Sequence, residues 1–137
     1  MSAIAPIGSV DLSSPGRRAR FPRQARILRH SDFDRVYKQG RRHFVGHMVF
    51  FYLARKPEQR CRVGLTVGRT LGGAVERNRI KRRLREAIRL KLSLLGAAAD
   101  VIIHPKKSAA TAEFCELLRE VGAAFEVIES KLSKLSS

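Results

Sequence analysis

Eight basic side chains crowd the stretch 77–91 of this 137-residue chain: Arg77, Arg79, Lys81, Arg82, Arg83, Arg85, Arg89 and Lys91, with Glu86 the one acid among them. Like charges spaced i, i+4 destabilise an isolated helix, and an ordinary solvated helix face mixes both signs. Such an array is therefore kept for a polyanion. Arginine outnumbers lysine here, which favours planar, bidentate grip on phosphate oxygens. A surface collecting six or more phosphates would lose about 0.7–0.9 log units of affinity per contact for each log unit of salt. A second set, Phe33, Tyr37 and Phe51 with Arg62 and Thr66, has the types that hold single-stranded RNA: aromatic platforms beside a cation, at about 1–3 kcal/mol per stacked base. An aromatic stripe more often packs a core, so residue type alone leaves both roles open for these rings.

Chemistry by the chain itself finds little support. A protein-borne nuclease needs clustered carboxylates for two metal ions, or a pair of histidines. Asp32 and Asp34 fall near a helix start, where capping explains them, while Asp100 and Glu86 stand isolated. His30, His43, His47 and His104 share no motif, and His43 and His47 are expected to meet phosphate or solvent. Cys61 and Cys115 have no metal-ligand spacing and are too few for a disulfide scaffold; they read as free thiols in a reducing cytosol. No nucleophile elbow, Walker loop or metal box is present. No catalytic residue and no metal ligand is expected.

These groups need elements to position them. Ser31 and Asp34 are spaced as a capping box and Gly40 stands where a helix can close, with Phe33, Val36 and Tyr37 on one face. Residues 47–54 read as a strand, with a shorter one over 41–45, and 56–60 as a turn. Cys61, Val63, Leu65 and Val67 alternate with polar positions, predicting a half-buried strand whose polar face carries Arg62 and Thr66. Residues 68–73 form a loop. From Ala74 to Leu95 the period becomes helical: Ile80, Leu84, Ala87, Ile88 and Leu95 share an arc, with Asn78, Arg82, Arg85 and Arg89 opposite. Arg77 falls on the apolar side. A strand over 99–104 and a helix over 111–132 complete an α+β single domain, a small central sheet with helices, over residues 21–135.

Residues 1–20 read as a disordered leader, followed by a basic approach segment with Arg17, Arg18, Arg20, Arg23, Arg26 and Arg29. The chain holds 28 Lys+Arg against 12 Asp+Glu, a formal charge of +16. The excess is confined: residues 1–91 carry 23 basic and 6 acidic side chains, residues 92–137 carry 5 and 6. No apolar run spans a bilayer, and no signal peptide is seen, so the expected location is the cytoplasm, with no membrane partner.

The run Arg62-Val-Gly-Leu-Thr-Val-Gly-Arg69, followed by Ala74-Val75-x-Arg77-Asn78-Arg79-Ile80-Lys81-Arg82, resembles the signature of the bacterial ribonuclease P protein subunit. Asp32-Phe33, Val36-Tyr37, Gly40 and the aromatic strand 49–53 match the family in order and spacing. The loop departs from the family pattern, carrying Arg69-Thr70 and Gly72-Gly73 where two lysines and a Gly-Asn pair are usual. The resemblance covers about residues 26–130. It implies a ribosomal-protein-S5-domain-2-like fold with a left-handed βαβ crossover, against the usual right-handed rule. It implies that Arg69, Arg77, Asn78, Arg79, Lys81, Arg82, Arg85 and Arg89 bind the catalytic RNA. Phe33, Tyr37, Phe51, Arg62 and Thr66 would hold the 5′ leader of precursor tRNA. The RNA would perform the hydrolysis with its own magnesium ions, the enzyme being the ribonucleoprotein endoribonuclease that matures tRNA 5′ ends. The alternative, a structural RNA-binding protein of ribosomal type, explains the charge but not the signature joined to the upstream aromatics. For DNA binding there is no dimerising or groove-reading motif.

Overall fold

The computed structural model describes residues 25–136. The expected leader over 1–20, with Arg17, Arg18, Arg20 and Arg23, lies outside the described residues. Within them the order is α1 (His30–Gln39), β1 (Arg41–Phe44), β2 (Met48–Ala54), β3 (Arg62–Leu65), α2 (Ala74–Lys91), β4 (Ala99–Pro105) and α3 (Phe114–Ser136). The strands form one sheet in the order β1-β2-β4-β3. All pairs are antiparallel except β3 with β4. A parallel pair needs a long crossover, and α2 supplies it.

Both faces of the sheet are covered, unequally. Along β2 the alternation sends Met48, Phe50 and Tyr52 to one side, all buried. There they meet Ile80, Leu84 and Ile88 of α2 and Leu117, Val121, Phe125 and Ile128 of α3. Phe50 and Phe125 pack edge-to-face, centroids 6.0 Å apart. Each such side chain removed from water contributes about 1.5–3 kcal/mol. This is the main core, and Phe50 and Tyr52 lie in it as the alternation predicts.

The second face carries α1 alone. Val36, Ile27 and Ile102 are buried between helix and sheet, flanked by Phe33, Tyr37, Phe51 and Leu53. Two glycines allow the close approach. A Cβ on Gly64 would stand 2.8 Å from the Phe33 ring, and one on Gly40 would stand 2.5 Å from the Val36 carbonyl oxygen and 2.7 Å from that of Tyr52. The polar face expected for β3 is thus roofed by α1 rather than open.

Several boundaries differ from the sequence reading, each for a local reason. α1 begins two residues earlier than the capping box implies: Arg29 is its N-cap, without a side-chain cap, and Ser31 lies inside the helix. Asp34 of the expected box lies 3.4 Å from His30, and Asp32, on the first turn, lies 3.4 Å from Arg35 and from Arg62. β3 stops at Leu65 instead of Gly68. α2 gives way at Lys91 to a 3-10 turn over Leu92–Leu94, so Leu95 is buried from outside the helix. In the loop before α2, Gly72 has φ +125°, a left-handed conformation that favours glycine, whereas Gly73 at φ −77° does not need it.

Candidate nucleic-acid interface

The basic ridge follows from how α2 packs. Ile80, Leu84, Ala87 and Ile88 face the core with no exposure, which turns Asn78, Arg79, Arg82 and Arg85 outward, all exposed. Among the described residues no ion pair holds Arg69, Arg79, Lys81, Arg82 or Arg85. Three basic residues of the helix behave differently. Arg83 turns aside and donates to the carbonyls of Ala109 and Ala110, at 3.3 Å each, and of Ala112, fastening α2 to the 3-10 turn before α3. Arg89 is held by Glu86, its Nε 3.0 Å from Oε1. Arg77 is half-buried, as its position on the apolar arc implies, and its Nε is closed off from solvent without a hydrogen-bond partner.

The cleft is built between α1 and the sheet. Tyr37 and Phe51 meet edge-to-face with centroids 4.7 Å apart. Tyr37 Oη donates to Thr66 Oγ1 at 2.6 Å and lies 3.3 Å from His104 Nδ1. Burial raises the Tyr37 phenol pKa, and the Thr66 hydrogen bond opposes that rise. The Arg42 guanidinium sits over the Phe51 ring, 5.6 Å from its centroid. Phe33, Tyr37, Phe51 and Thr66 are thus gathered on one face and remain part-exposed. His104 and Arg42 belong to the same cluster and escaped the sequence reading. Their signal was faint: His104 follows the apolar run Val101–Ile103 of β4, and Arg42 lies two residues past Gly40.

Arg62 has another partner. Asp100, taken from sequence as isolated, is fully buried and receives Arg62 in a two-pronged contact, Nε to Oδ1 at 2.8 Å and Nη2 to Oδ2 at 2.9 Å. Arg35 adds Nη2 to Oδ2 at 3.0 Å, and Arg55 approaches Oδ1 at 3.5 Å. A buried carboxylate must be paired, and three guanidinium groups from α1, β3 and the end of β2 converge to do it. The bond to Asp100 raises the Arg62 pKa against the opposing effect of burial. Arg62 therefore ties α1 and β3 to β4 at the end of the cleft.

Other sequence expectations shift similarly. His47 does not face phosphate: its Nδ1 is 2.9 Å from Ser108 Oγ and its backbone N–H donates to Glu120 at 2.9 Å. The pKa of His43 is lowered by burial and by Lys131, a residue of α3. Glu86 is likewise not isolated, being Arg89's partner. Cys61 packs against the main core and its thiol is pushed up to about 12, chiefly by burial and then by Asp100 and Glu129, with Arg55 opposing. Cys115 is exposed.

Among the described residues no group of three or more His, Cys, Asp or Glu is placed to hold a metal ion. Asp32 and Asp100, which share Arg62, are already occupied by guanidinium groups and do not fit a magnesium site. No helix among the described residues is long and apolar enough to cross a membrane.

A family model described as Ribonuclease P matches residues 21–129. The chain is 44% identical over 97 residues to the ribonuclease P protein component of Desulfovibrio desulfuricans, covering 70% of this chain and 75% of that one. To the ribonuclease P protein component of Acidothermus cellulolyticus it is 39% identical over 101 residues, covering 72% and 83%. The solved RNase P protein of Staphylococcus aureus is 28% identical with a TM-score of 0.68, over 77% of this chain and 95% of that one. The Thermotoga maritima RNase P protein, at 24% identity, shares the fold with a TM-score of 0.65 over 74% and 94%. With its Arg-Asn-Arg signature on an open ridge of that fold, the chain belongs to the ribonuclease P protein family.

Proposed function

We propose that the chain is the protein component of ribonuclease P, binding the catalytic RNA along α2 and the 5′ leader of precursor tRNA in the α1 cleft. The single observation that carries this reading is the separation of two unlike surfaces. On one face of the sheet stands an arginine ridge whose Arg69, Arg79, Arg82 and Arg85 are in no ion pair among the described residues, and on the other an aromatic cleft with only a few polar groups. A ridge of guanidinium groups suits a folded RNA, whose phosphates are fixed in space. Rings set beside Thr66 and His104 suit unpaired bases, which offer a face for stacking and an edge for hydrogen bonds.

Arg69, Asn78, Arg79, Lys81, Arg82 and Arg85 carry the RNA-subunit contact. Arg77, half-buried at the helix start, contributes through the part of its side chain that stays exposed. Arg89 reaches RNA only by sharing its fork with Glu86. Phe33, Tyr37, Phe51 and Thr66 carry the leader contact, and Arg62 supports it from behind by fixing α1 to the sheet. Endonucleolytic cleavage, giving mature tRNA 5′ ends, is the work of the RNA subunit, with magnesium held by that RNA and the substrate.

Reconstitution tests the reading. The chain is combined with a ribonuclease P RNA and precursor tRNA at low magnesium. Cleavage faster than with RNA alone is expected. No stimulation would contradict the assignment, and cleavage by the protein alone would overturn the placing of catalysis in the RNA.

A further inference from the structure

Phe44 is the one aromatic residue among the large, strongly exposed apolar side chains, at 62% exposure. It ends β1, an edge strand, and its orientation is fixed by its neighbours. Arg42, two residues earlier, lies over Phe51 on the cleft face. His43, between them, feels Lys131 of α3 on the other face. Alternation therefore puts Phe44 on the cleft face beside Arg42. The register extends this into a row: Phe44 pairs with Val49, and Val49 with His104, which contacts Tyr37 and Phe51. Two strand spacings, about 10 Å, separate Phe44 from His104. The row thus runs from the roofed cleft onto open sheet without leaving the face.

We propose that this open part of the sheet is a second base-stacking subsite, in which Phe44 takes a nucleotide of the single-stranded leader beyond those held under α1. Arg42, exposed on the same face, stands beside it for a connecting phosphate. An exposed ring beside a cation on a sheet face suits a single strand, because every base has a π-face and the contact tolerates sequence. Self-association through β1 is the other use of such an edge. Four residues with adjacent like charges make a poor strand for pairing with a second copy.

The inference rests on the leader reading of the cleft, and the test separates the two. Holoenzyme is assembled with ribonuclease P RNA and titrated with mature tRNA and with precursors carrying a short leader, ending within the cleft, or a long one. Phe44→Ala is expected to weaken the long-leader complex about fivefold or more, leaving short-leader and mature tRNA binding unchanged. Phe44→Trp should restore the long-leader affinity. Phe51→Ala should weaken both precursors. Equal long-leader affinity for Phe44→Ala and the parent chain would overturn the subsite while the cleft reading stands. If Phe51→Ala also changed nothing, the cleft reading itself would fall. A concentration-dependent dimer abolished by Phe44→Ala, with leader binding intact, would assign the ring to self-association and reject the subsite. Thermal melting of Phe44→Ala should match that of the parent chain, since the ring covers little.

Discussion

At the scale of the residue, Asp100 is the most consequential side chain outside the α2 ridge and the aromatic cleft. It is fully buried with three arginines around it, so removing its charge leaves the guanidinium groups without their counter-charge. Asp100→Asn should cost about 3–5 kcal/mol in denaturant unfolding. Arg35→Ala, which removes one half-exposed partner, should cost below about 1 kcal/mol. Equal costs would show that the arginines do not depend on Asp100. None of this was legible in the sequence: Arg62 and Arg35 lie 38 and 65 residues away, and periodicity reads only near neighbours. The thiols give a second check. Cys61 sits at about 12, above the ordinary thiol value of 9.0. Between those values the folded chain keeps a proton that the unfolded chain releases, so stability is present below pH 9.0 and falls as pH rises towards about 12. Cys61→Ala should flatten that alkaline slope in urea unfolding, and only Cys115 should react with iodoacetamide in the folded protein at pH 8.

At the scale of the element, α2 divides its charges by geometry. Its apolar arc was plain from sequence because 3.6-residue periodicity is local, and the exposure of Arg79, Arg82 and Arg85 follows directly from it. The diversion of Arg83 to the Ala109–Ala112 carbonyls was not legible, because those acceptors belong to a turn brought near only by the finished fold. Arg79→Ala with Arg82→Ala should make the log–log salt dependence of RNA-subunit binding shallower by about 1.4–1.8, two contacts' worth, while unfolding stays near parental. Arg83→Ala should do the reverse, leaving the salt slope and lowering stability. For α1 the limiting feature is Gly64. A methyl there would enter the Phe33 ring, so Gly64→Ala should cost about 1–3 kcal/mol and loosen precursor binding through the displaced helix. Unchanged unfolding and binding would mean that α1 is not seated by this contact. The capping box misled as to the helix start: Ser31 lies inside α1, and Asp34 faces His30.

At the scale of the whole molecule, the excess charge is sorted rather than spread. Among the described acids of the first two-thirds, two brace the fold through arginine: Asp32 with Arg35 and Arg62, and Glu86 with Arg89. On α2 and the loop before it, Arg69, Arg79, Lys81, Arg82 and Arg85 are in no ion pair among the described residues. The parallel β3–α2–β4 crossover places that ridge on the opposite face of the sheet from α1, so one small domain can touch two RNA surfaces at once. The order of elements was readable from pattern, because periodicity and turn residues act locally. Competition between the two surfaces is the sharpest question. Holoenzyme reconstituted with Phe33→Ala/Tyr37→Ala protein should bind precursor tRNA at least about fivefold more weakly than the parental holoenzyme, with mature-tRNA affinity and RNA-subunit assembly unchanged. An equal loss for precursor and mature tRNA, or none for either, would contradict a cleft devoted to the leader.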